Sequence, residues 1–213
     1  MKNLQLFVFD LDGTLTESSK NIYQATIKTF ERFGRTVHLP KEELDKRIGE
    51  HFQTIFDDLE IHVKDIEEFI DVYKTIYFDF IDSTKLYPGV EETLSALKQK
   101  GKKIALLTTK GEEQARRIIY HFKLEKYFDE IMGRRPGMGH KPSPEPLLFL
   151  CNALSVLPEA ALMIGDSELD VQCGKNAGAK TCAATYGYRP KEILVKENPD
   201  YFLNSISDII DNF

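Results

Sequence analysis

Near the N-terminus, hydrophobic residues form one short run that ends at an aspartate. Residues 4–10 are apolar except for Gln5 and the final Asp10, and Asp12 follows two positions later. A run of this kind is typical of a strand that is buried on both faces of a parallel sheet. Residues 4–10 are therefore predicted to form a strand with a pair of carboxylates at its carboxyl end.

A different periodicity covers the chain from residue 19 to about residue 85. Apolar residues return there at helical spacing, most clearly between Ile66 and Ile81. Gly34 suits the end of a helix, and Pro40 suits a first helical turn because its missing N–H costs nothing at that position. We expect this region to be helical throughout.

Beyond a YPG break at 87–89, strand and helix patterns alternate. The strand patterns are 103–109, 130–133, 161–166, 180–185 and a short YFL segment, and the helix patterns are 112–122, 144–154, 168–178 and two short stretches on either side of YFL. Repeated strand–helix units predict a parallel sheet covered by helices. The predicted fold class is α/β, with a Rossmann-like parallel sheet core, helices on both faces and an inserted α-helical cap domain. Residues 1–15 and 86–213 form the predicted core, and residues 16–85 form the predicted cap.

Composition and charge narrow the choice of partner. The 213 residues carry a net charge of −6, and the sequence pI is about 5.5. Nucleic acids and anionic membranes bind basic surfaces best, so neither is the expected main partner of an acidic protein. No apolar run approaches the ~20 residues of a bilayer-spanning helix, and no signal-peptide pattern is visible. We expect a cytoplasmic protein, monomeric or homodimeric. Its cysteines, which form no CxxC pair, are expected to be reduced thiols: Cys151, Cys173 and Cys182.

Three predicted strands end in polar residues that could carry chemistry, namely Asp10, Thr108 and Asp166. In an open parallel sheet, ligands bind beyond the carboxyl ends of the strands. Residues two apart in an extended segment point the same way, so Asp10 and Asp12 can face one site. A divalent cation would offset the repulsion between these carboxylates, and hard oxygen ligands suit Mg²⁺. Because Mg²⁺ commonly binds carboxylates together with a substrate phosphate, the pattern indicates phosphoryl chemistry.

Four stretches carry a resemblance to a known family. DLDGTLTES, LLTTK, HKPSPEP and IGDSELD resemble, in order and spacing, the four motifs of the haloacid dehalogenase-like hydrolase superfamily. NAGAKT and YGY fit the same resemblance, which covers the whole chain. The helical insert resembles the cap of the phosphoglycolate phosphatase and β-phosphoglucomutase branch.

The resemblance implies a role for each acid. Asp10 is similar to the family's nucleophile, which attacks phosphorus and forms an aspartyl-phosphate. Asp12 resembles the general acid that protonates the leaving group and then the base that activates water. The implied Mg²⁺ ligands are Asp10, the backbone carbonyl of Asp12, and Asp166. Asp170 would lie behind these ligands.

The resemblance also implies residues that hold phosphate and substrate. Thr108 resembles the hydroxyl that binds a phosphate oxygen, with help from the Thr109 N–H. Lys141 resembles the cation that neutralises the nucleophile and the transferring group. The remaining members of the implied substrate-binding set are Gly13 in the first motif and two residues of the cap segment RIGEHF, Arg47 and His51.

Each motif taken alone also has a purely structural interpretation. The acids before Gly13 could form an Asx-type turn, and the two threonines could cap the following helix. Asp170 could belong to a capping box, and Lys141 could be a solvated loop lysine. The four stretches together favour chemistry. We therefore predict a Mg²⁺-dependent phosphatase that acts on a small phosphorylated metabolite, with phosphoglycolate as the first candidate.

Several rival functions stay open at this stage. A sugar phosphomutase or a pyrophosphatase would use the same motifs, and a catalytically silent binding module could share the fold. A C–Cl dehalogenase is disfavoured, because that branch lacks the second acid and needs no metal. Arg134 and Arg135, in an unusually basic loop, are equally compatible with substrate contact and with solvation.

Overall fold

The computed structural model describes residues 4–213 and divides into two compact units. The first unit ends its N-terminal segment at Thr16 and continues from Leu86 to Phe213. The second unit is Glu17–Lys85, the stretch in which the sequence shows helical periodicity. Each unit has its own buried residues.

A six-stranded sheet forms the centre of the first unit. Its strands lie in the order β5-β4-β1-β6-β7-β8, and all neighbouring pairs are parallel. The strand bounds are β1 Leu6–Phe9, β4 Lys103–Gly111, β5 Glu130–Arg134, β6 Ala161–Gly165, β7 Lys180–Ala184 and β8 Tyr201–Leu203. The chain moves outward on one side of β1 to β5 and then returns to β6 on the other side. The strand order therefore reverses at β1, where a parallel sheet opens a crevice at its carboxyl edge.

Both faces of β1 are covered, which explains its unbroken apolar sequence. Leu6 and Val8 pack in one buried cluster with Leu147 and Leu150 of the helix that follows β5. On the other face, the Phe7 ring meets the Phe213 ring edge-on, with centroids 6.0 Å apart. A strand buried on both sides has no position for a polar residue until it ends. The predicted α/β class, with a parallel sheet inside helices, is confirmed.

The helices of the first unit begin at the places where the sequence supplies helix starts. Gly89 has a left-handed φ of +86° and precedes a helix whose first turn carries two glutamates. Pro190 precedes another helix, and Ser167 opens a third with a capping box. The bounds are α5 Val90–Gln99, α6 Glu112–His121, α7 Glu145–Ala153, α8 Glu168–Asn176, α9 Lys191–Lys196 and α10 Asp208–Asn212.

The second unit is built around aromatic side chains. Its helices are α1 Ser19–Arg32, α2 Lys41–Asp45, α3 Phe52–Asp58 and α4 Ile66–Tyr77, followed by a 3-10 turn at Phe78–Ser83. The Phe30 ring lies 4.7 Å from Phe69 and 5.2 Å from Phe56, between centroids. The Asp65 carboxylate accepts hydrogen bonds from the N–H groups of Glu67 and Glu68, which fixes the start of α4.

The observed elements differ from the sequence expectations in three places. Helix α5 was not predicted, although its residues follow the YPG break directly. The strands β2 Thr16–Glu17 and β3 Lys85–Leu86 pair in a separate two-stranded sheet, so the expected helical region is bounded by short strands. Strand β4 continues two residues beyond the predicted 109, with a register irregularity against β5 between Leu107 and Gly111.

The expectations of reduced cysteines and of no membrane-spanning helix can also be compared with the structure. The three cysteines are free thiols, and all three are buried. No helix within residues 4–213 combines the length and the apolarity that a membrane-spanning segment requires.

Candidate active site

The acids that end two central strands lie side by side. Asp10 follows β1 and Asp166 follows β6, and these strands are paired with Phe9 opposite Ile164. The Asp10 N–H donates to the Ile164 carbonyl at 2.9 Å, so the pairing continues past the end of β1. Both side chains are buried, with residue exposures of 7% and 3%. The sheet itself therefore places two carboxylates at the crevice beside β1.

A buried lysine binds this acidic pair from a loop. The Lys141 Nζ lies 2.7 Å from Asp10 Oδ1 and 2.5 Å from Asp170 Oδ1, and only 3% of the lysine side chain is exposed. Burial by itself would lower the pKa of Lys141, but the two carboxylates outweigh burial and raise it. Lys141 is therefore a fixed ammonium ion inside the site.

Asp170 holds Lys141 and also begins a helix. Its Oδ2 accepts hydrogen bonds from the Ser167 N–H at 3.1 Å and from the Ser167 hydroxyl at 2.6 Å. These bonds form the capping box of α8. The capping box was the structural interpretation of Asp170, and the structure contains this box together with a contact to Lys141 that the sequence did not predict. Asp170 therefore fixes the position of Lys141 relative to Asp10.

The three carboxylates form a cluster of oxygen donors. One carboxylate oxygen from each of Asp10, Asp166 and Asp170 lies within 4.8 Å of the others. Burial raises the pKa of Asp10 to about 7, against the opposing effect of Lys141 and with a further rise caused by Asp170. Burial, followed by repulsion from Asp10 and Asp170, raises the pKa of Asp166 well above its usual value. The Lys141 ammonium alone does not offset the charge of the cluster.

The donor set fits a divalent cation such as Mg²⁺. Its donors are hard carboxylate oxygens, and burial together with repulsion from neighbouring acids raises the pKa values of Asp10 and Asp166, so a bound cation would favour their ionised forms. Both oxygens of Asp170 accept short hydrogen bonds, at 2.5 Å from Lys141 and 2.6 Å from the Ser167 hydroxyl. Within residues 4–213, Asp166 Oδ1 has only a 3.5 Å contact with the Thr14 hydroxyl. Asp10 and Asp166 are therefore the acids best placed to reach an ion.

Backbone from two loops closes around Asp166. Its Oδ2 accepts the Tyr188 N–H at 2.7 Å. Gly13, with a φ of +81°, lies so close that an added Cβ would stand 2.1 Å from Asp166 Oδ2. A Cβ at Gly187 would stand 2.2 Å from the Asp166 Cβ. No larger residue fits at either glycine without displacing this carboxylate, so the two glycines are needed for its position.

The Asp12 side chain lies outside the cluster and pairs with Lys110. Its Oδ2 is 2.7 Å from the Nζ of Lys110, and the two side chains are 8% and 11% exposed. Asp12 was expected to serve the metal through its backbone carbonyl and to serve catalysis through its carboxylate. The carboxylate is paired with an ammonium group outside the cluster of Asp10, Asp166 and Asp170.

The expected phosphate-binding threonines lie in β4. Thr108 is buried, with 4% exposure, and its hydroxyl accepts the Lys110 N–H at 3.3 Å. Thr109 is partly buried. The helix after β4 has Gly111 as its N-cap, with no side-chain capping bond. The structural alternative, in which these threonines cap α6, therefore does not describe Thr108.

A family model for haloacid dehalogenase-like hydrolases matches residues 7–184, which is well over half of the sequence and includes Asp10, Lys141 and Asp166. The chain belongs to this family. A phosphoglycolate phosphatase of Aquifex aeolicus is 36% identical over 208 residues, which cover 97% of this chain and 95% of that protein. A pyrophosphatase PpaX of Halalkalibacterium halodurans is 34% identical over 205 residues, which cover 96% and 94%.

Solved structures agree with these relatives. A haloacid dehalogenase-like family hydrolase from Streptococcus pneumoniae matches with a TM-score of 0.88 at 25% identity, over 99% of each chain. Within the haloacid dehalogenase-like family, the chain thus lies in the phosphoglycolate phosphatase-like branch, and it is an enzyme of the phosphatase class.

The two cap residues expected to meet substrate make contacts within the second unit. The Arg47 Nη1 donates to the Glu43 carboxylate at 2.8 Å and to the Glu43 carbonyl at 2.9 Å, and its Nε lies 3.9 Å from Asp58 Oδ2. The His51 Nδ1 accepts the Gln53 N–H at 3.2 Å, so His51 is the N-cap of α3. These contacts fix both side chains at the turn between α2 and α3.

The loop arginine Arg135 contacts a glutamate and an aromatic ring. Its Nε donates to Glu112 at the start of α6, and its guanidinium carbon lies 5.5 Å from the centre of the Phe149 ring. These contacts hold Arg135 against the start of α6 and the Phe149 ring.

Sequence reasoning missed the residues that support the expected site. Lys110 belongs to the LLTTK motif, yet no role was assigned to it. It stands two residues after Thr108 in a strand, and the alternation that placed Asp10 beside Asp12 would have placed Lys110 on the same face as Thr108. For Gly187 and Tyr188, the YGY sequence gives a turn signal but no indication of its partner.

Proposed function

We propose that the protein is a Mg²⁺-dependent phosphomonoesterase that hydrolyses a small phosphorylated metabolite through an aspartyl-phosphate. The observation that carries the proposal is the buried contact between the Lys141 Nζ and Asp10 Oδ1 at 2.7 Å, beside the second strand-end acid Asp166. A carboxylate held by an ammonium group and crowded by other acids suits a site that receives both a cation and a phosphoryl group.

In the first half of the proposed reaction, an Asp10 carboxylate oxygen attacks phosphorus. The bond between phosphorus and the ester oxygen breaks, and Asp12 gives its proton to the leaving oxygen. The Lys141 ammonium offsets charge on Asp10 and on the transferring group, and Thr108 donates its hydroxyl to a phosphate oxygen. In the second half, water attacks phosphorus, its proton passes to Asp12, and Asp10 leaves as a carboxylate.

Asp10 and Asp166, with the backbone carbonyl of Asp12, are the proposed ligands of Mg²⁺. When bound, the ion supplies positive charge that draws the substrate phosphate and the nucleophile together. Asp170 keeps its role of holding Lys141, and the Tyr188 N–H keeps Asp166 directed into the site.

The substrate class is proposed from the relatives. One is a phosphoglycolate phosphatase and another is a pyrophosphatase, so phosphoglycolate is the first candidate and inorganic pyrophosphate is the second. Arg47 and His51 remain the proposed selectivity residues, because the core groups contact only the phosphoryl unit that all such substrates share. Arg47 would meet a second anionic group with its planar guanidinium.

Rival activities use the same core differently. A phosphomutase returns the phosphoryl group to a sugar, whereas a phosphatase gives it to water. A silent binding module would not need the buried Asp10, Asp12 and Lys141 together, since burying charges costs free energy.

Phosphate release from p-nitrophenyl phosphate, with and without Mg²⁺, tests the class of reaction. We expect release only with the metal. A panel of phosphorylated metabolites that includes phosphoglycolate, pyrophosphate and sugar phosphates then tests the substrate. Absence of phosphate release from every compound, in the presence of Mg²⁺, would contradict the proposed function.

A further inference from the structure

The ion pair between Asp12 and Lys110 joins two segments 98 residues apart at the carboxyl edge of the sheet. Its N–O distance is 2.7 Å, and both side chains are about nine-tenths buried. Removing two charges from water is costly, and a buried ion pair is on average no more stabilising than an apolar pair. Stability alone is therefore a weak reason for its presence beside the proposed acid and base.

The local backbone fixes Lys110 in this place. The Lys110 N–H donates to the Thr108 hydroxyl, and the register of β4 against β5 shifts between Leu107 and Gly111. Irregularities of this kind redirect side chains near active sites. The Lys110 ammonium is thereby aimed at Asp12, whereas Lys141 serves Asp10. The site therefore contains two lysines that contact different acids of the first motif, Lys110 at Asp12 and Lys141 at Asp10.

We propose that Lys110 is a positioning residue that holds the Asp12 carboxylate for hydrolysis of the aspartyl-phosphate. The inference rests on the proposed function. The Lys110 Nζ lies 2.7 Å from Asp12 Oδ2, a charge-assisted contact at the side chain that the proposed reaction needs to face the attacking water. This contact constrains the orientation of the Asp12 carboxylate, and so constrains the direction from which Asp12 can accept a proton from water.

In this step, the water oxygen forms a bond to phosphorus as the bond from phosphorus to the Asp10 oxygen breaks. The water proton moves to Asp12, and the electron pair of the broken bond returns to Asp10. Asp12 then carries the proton that it donates in the next turnover. Loss of Lys110 would remove a buried charge-assisted contact that constrains Asp12 at the moment when it must meet the attacking water.

The proposal assigns Lys110 to hydrolysis of the aspartyl-phosphate and not to its formation. With p-nitrophenyl phosphate as substrate, the two half-reactions can be measured separately. p-Nitrophenolate leaves readily without a proton, so formation of the phosphoenzyme should depend little on Asp12. Replacing Lys110 by methionine keeps the length of the side chain and removes its charge. We expect Lys110→Met to lower kcat about ten- to a hundred-fold, the loss of one charge-assisted contact, and to leave kcat/KM within about three-fold.

Rapid mixing of enzyme with excess p-nitrophenyl phosphate supplies the deciding readout. Lys110→Met should show a burst approaching one p-nitrophenolate per active site, followed by slow turnover, because phosphoenzyme accumulates. Lys110→Arg should restore part of kcat. The matched control is Lys180→Met, which removes a lysine that also stands 2.7 Å from an aspartate, Asp200, but at a surface position.

The outcomes distinguish this inference from the proposed function. If wild-type enzyme releases no phosphate, the proposed function fails. If wild-type enzyme is active but Lys110→Met shows no burst, or loses kcat and kcat/KM equally, the positioning role is wrong. Should Lys110→Met not fold, as judged by circular dichroism, Lys110→Gln is measured in its place with the same expected burst.

Discussion

The Nζ of Lys141 lies 2.7 Å from Asp10 Oδ1 across 131 residues of sequence, and both side chains are buried. Each group requires the other, since an isolated charge at this depth would be costly. Asp170, fixed by the start of α8, binds the same ammonium at 2.5 Å. The site thus depends on the end of β1, the loop before α7 and the first turn of α8.

Replacing Asp10 by asparagine should abolish turnover while the fold remains. The amide has nearly the same shape, but it cannot attack phosphorus as an anion. Steady-state hydrolysis of p-nitrophenyl phosphate and thermal unfolding measure the two properties. The exposed Asp71 is a control, and Asp71→Asn should retain full activity. If Asp10→Asn keeps more than about a tenth of kcat, a barrier change below ~1.4 kcal/mol, Asp10 is not the nucleophile.

Activity should require Mg²⁺, and Ca²⁺ should inhibit it. Ca²⁺ can bind the same acids, but it prefers more ligands and longer bonds, which would misplace the nucleophile and the phosphate. Phosphate release is measured after exhaustive chelation, after return of Mg²⁺, and with both ions. Full phosphate release by the chelated enzyme would contradict the proposed metal role.

The strand-end acids could be predicted because each one ends a short apolar run. An unbroken apolar run ends at Asp10, and another ends at Asp166, so a parallel sheet must bring both to one edge. Lys141 could not be placed in this way. A lysine before a proline in a loop is usually solvated, and only the resemblance to a family indicated that its side chain would be buried.

Other features were missed because their local signals are weak. Strands β2 and β3 have two residues each, which is too short for any period to be visible. Helix α5 begins at Val90, directly after the YPG turn, and the turn residues obscured the amphipathic pattern that follows them. For Lys110, strand alternation indicates the face of the side chain but not its partner, because Asp12 lies 98 residues away in the sequence.

Arg47 offers a test of substrate selection by the second unit. Arg47→Ala should lower kcat/KM for the preferred metabolite about ten- to a hundred-fold, the loss of one charge-assisted contact. It should leave p-nitrophenyl phosphate within a few-fold. Lys46→Ala is a close control, because Lys46 also pairs with Glu43 but is more than half exposed. Equal effects on both substrates, or none, would show that Arg47 serves only its contacts with Glu43 and Asp58.

The three thiols should resist modification in the native protein. Burial raises the pKa of Cys151 to about 11 and of Cys173 to about 12, and it also raises that of Cys182. The thiolate is the reactive form, so a disulfide reagent at about pH 8 should modify the three thiols rapidly only after unfolding. The raised values also imply that their contribution to stability, complete below the unfolded pKa of about 8.5, declines as the pH rises toward 11 and above. Rapid reaction of all three thiols in folded protein would contradict this description of the core.

The most direct test of the account is the site of covalent phosphorylation. Enzyme is denatured during turnover with Mg²⁺ and p-nitrophenyl phosphate and is reduced with borohydride, which converts an aspartyl-phosphate to homoserine. Mass spectrometry of the peptide that contains both Asp10 and Asp12 then locates the change. The account predicts homoserine at position 10 and an unaltered residue 12. An unmodified peptide from actively turning-over enzyme, or homoserine at position 12, would contradict it.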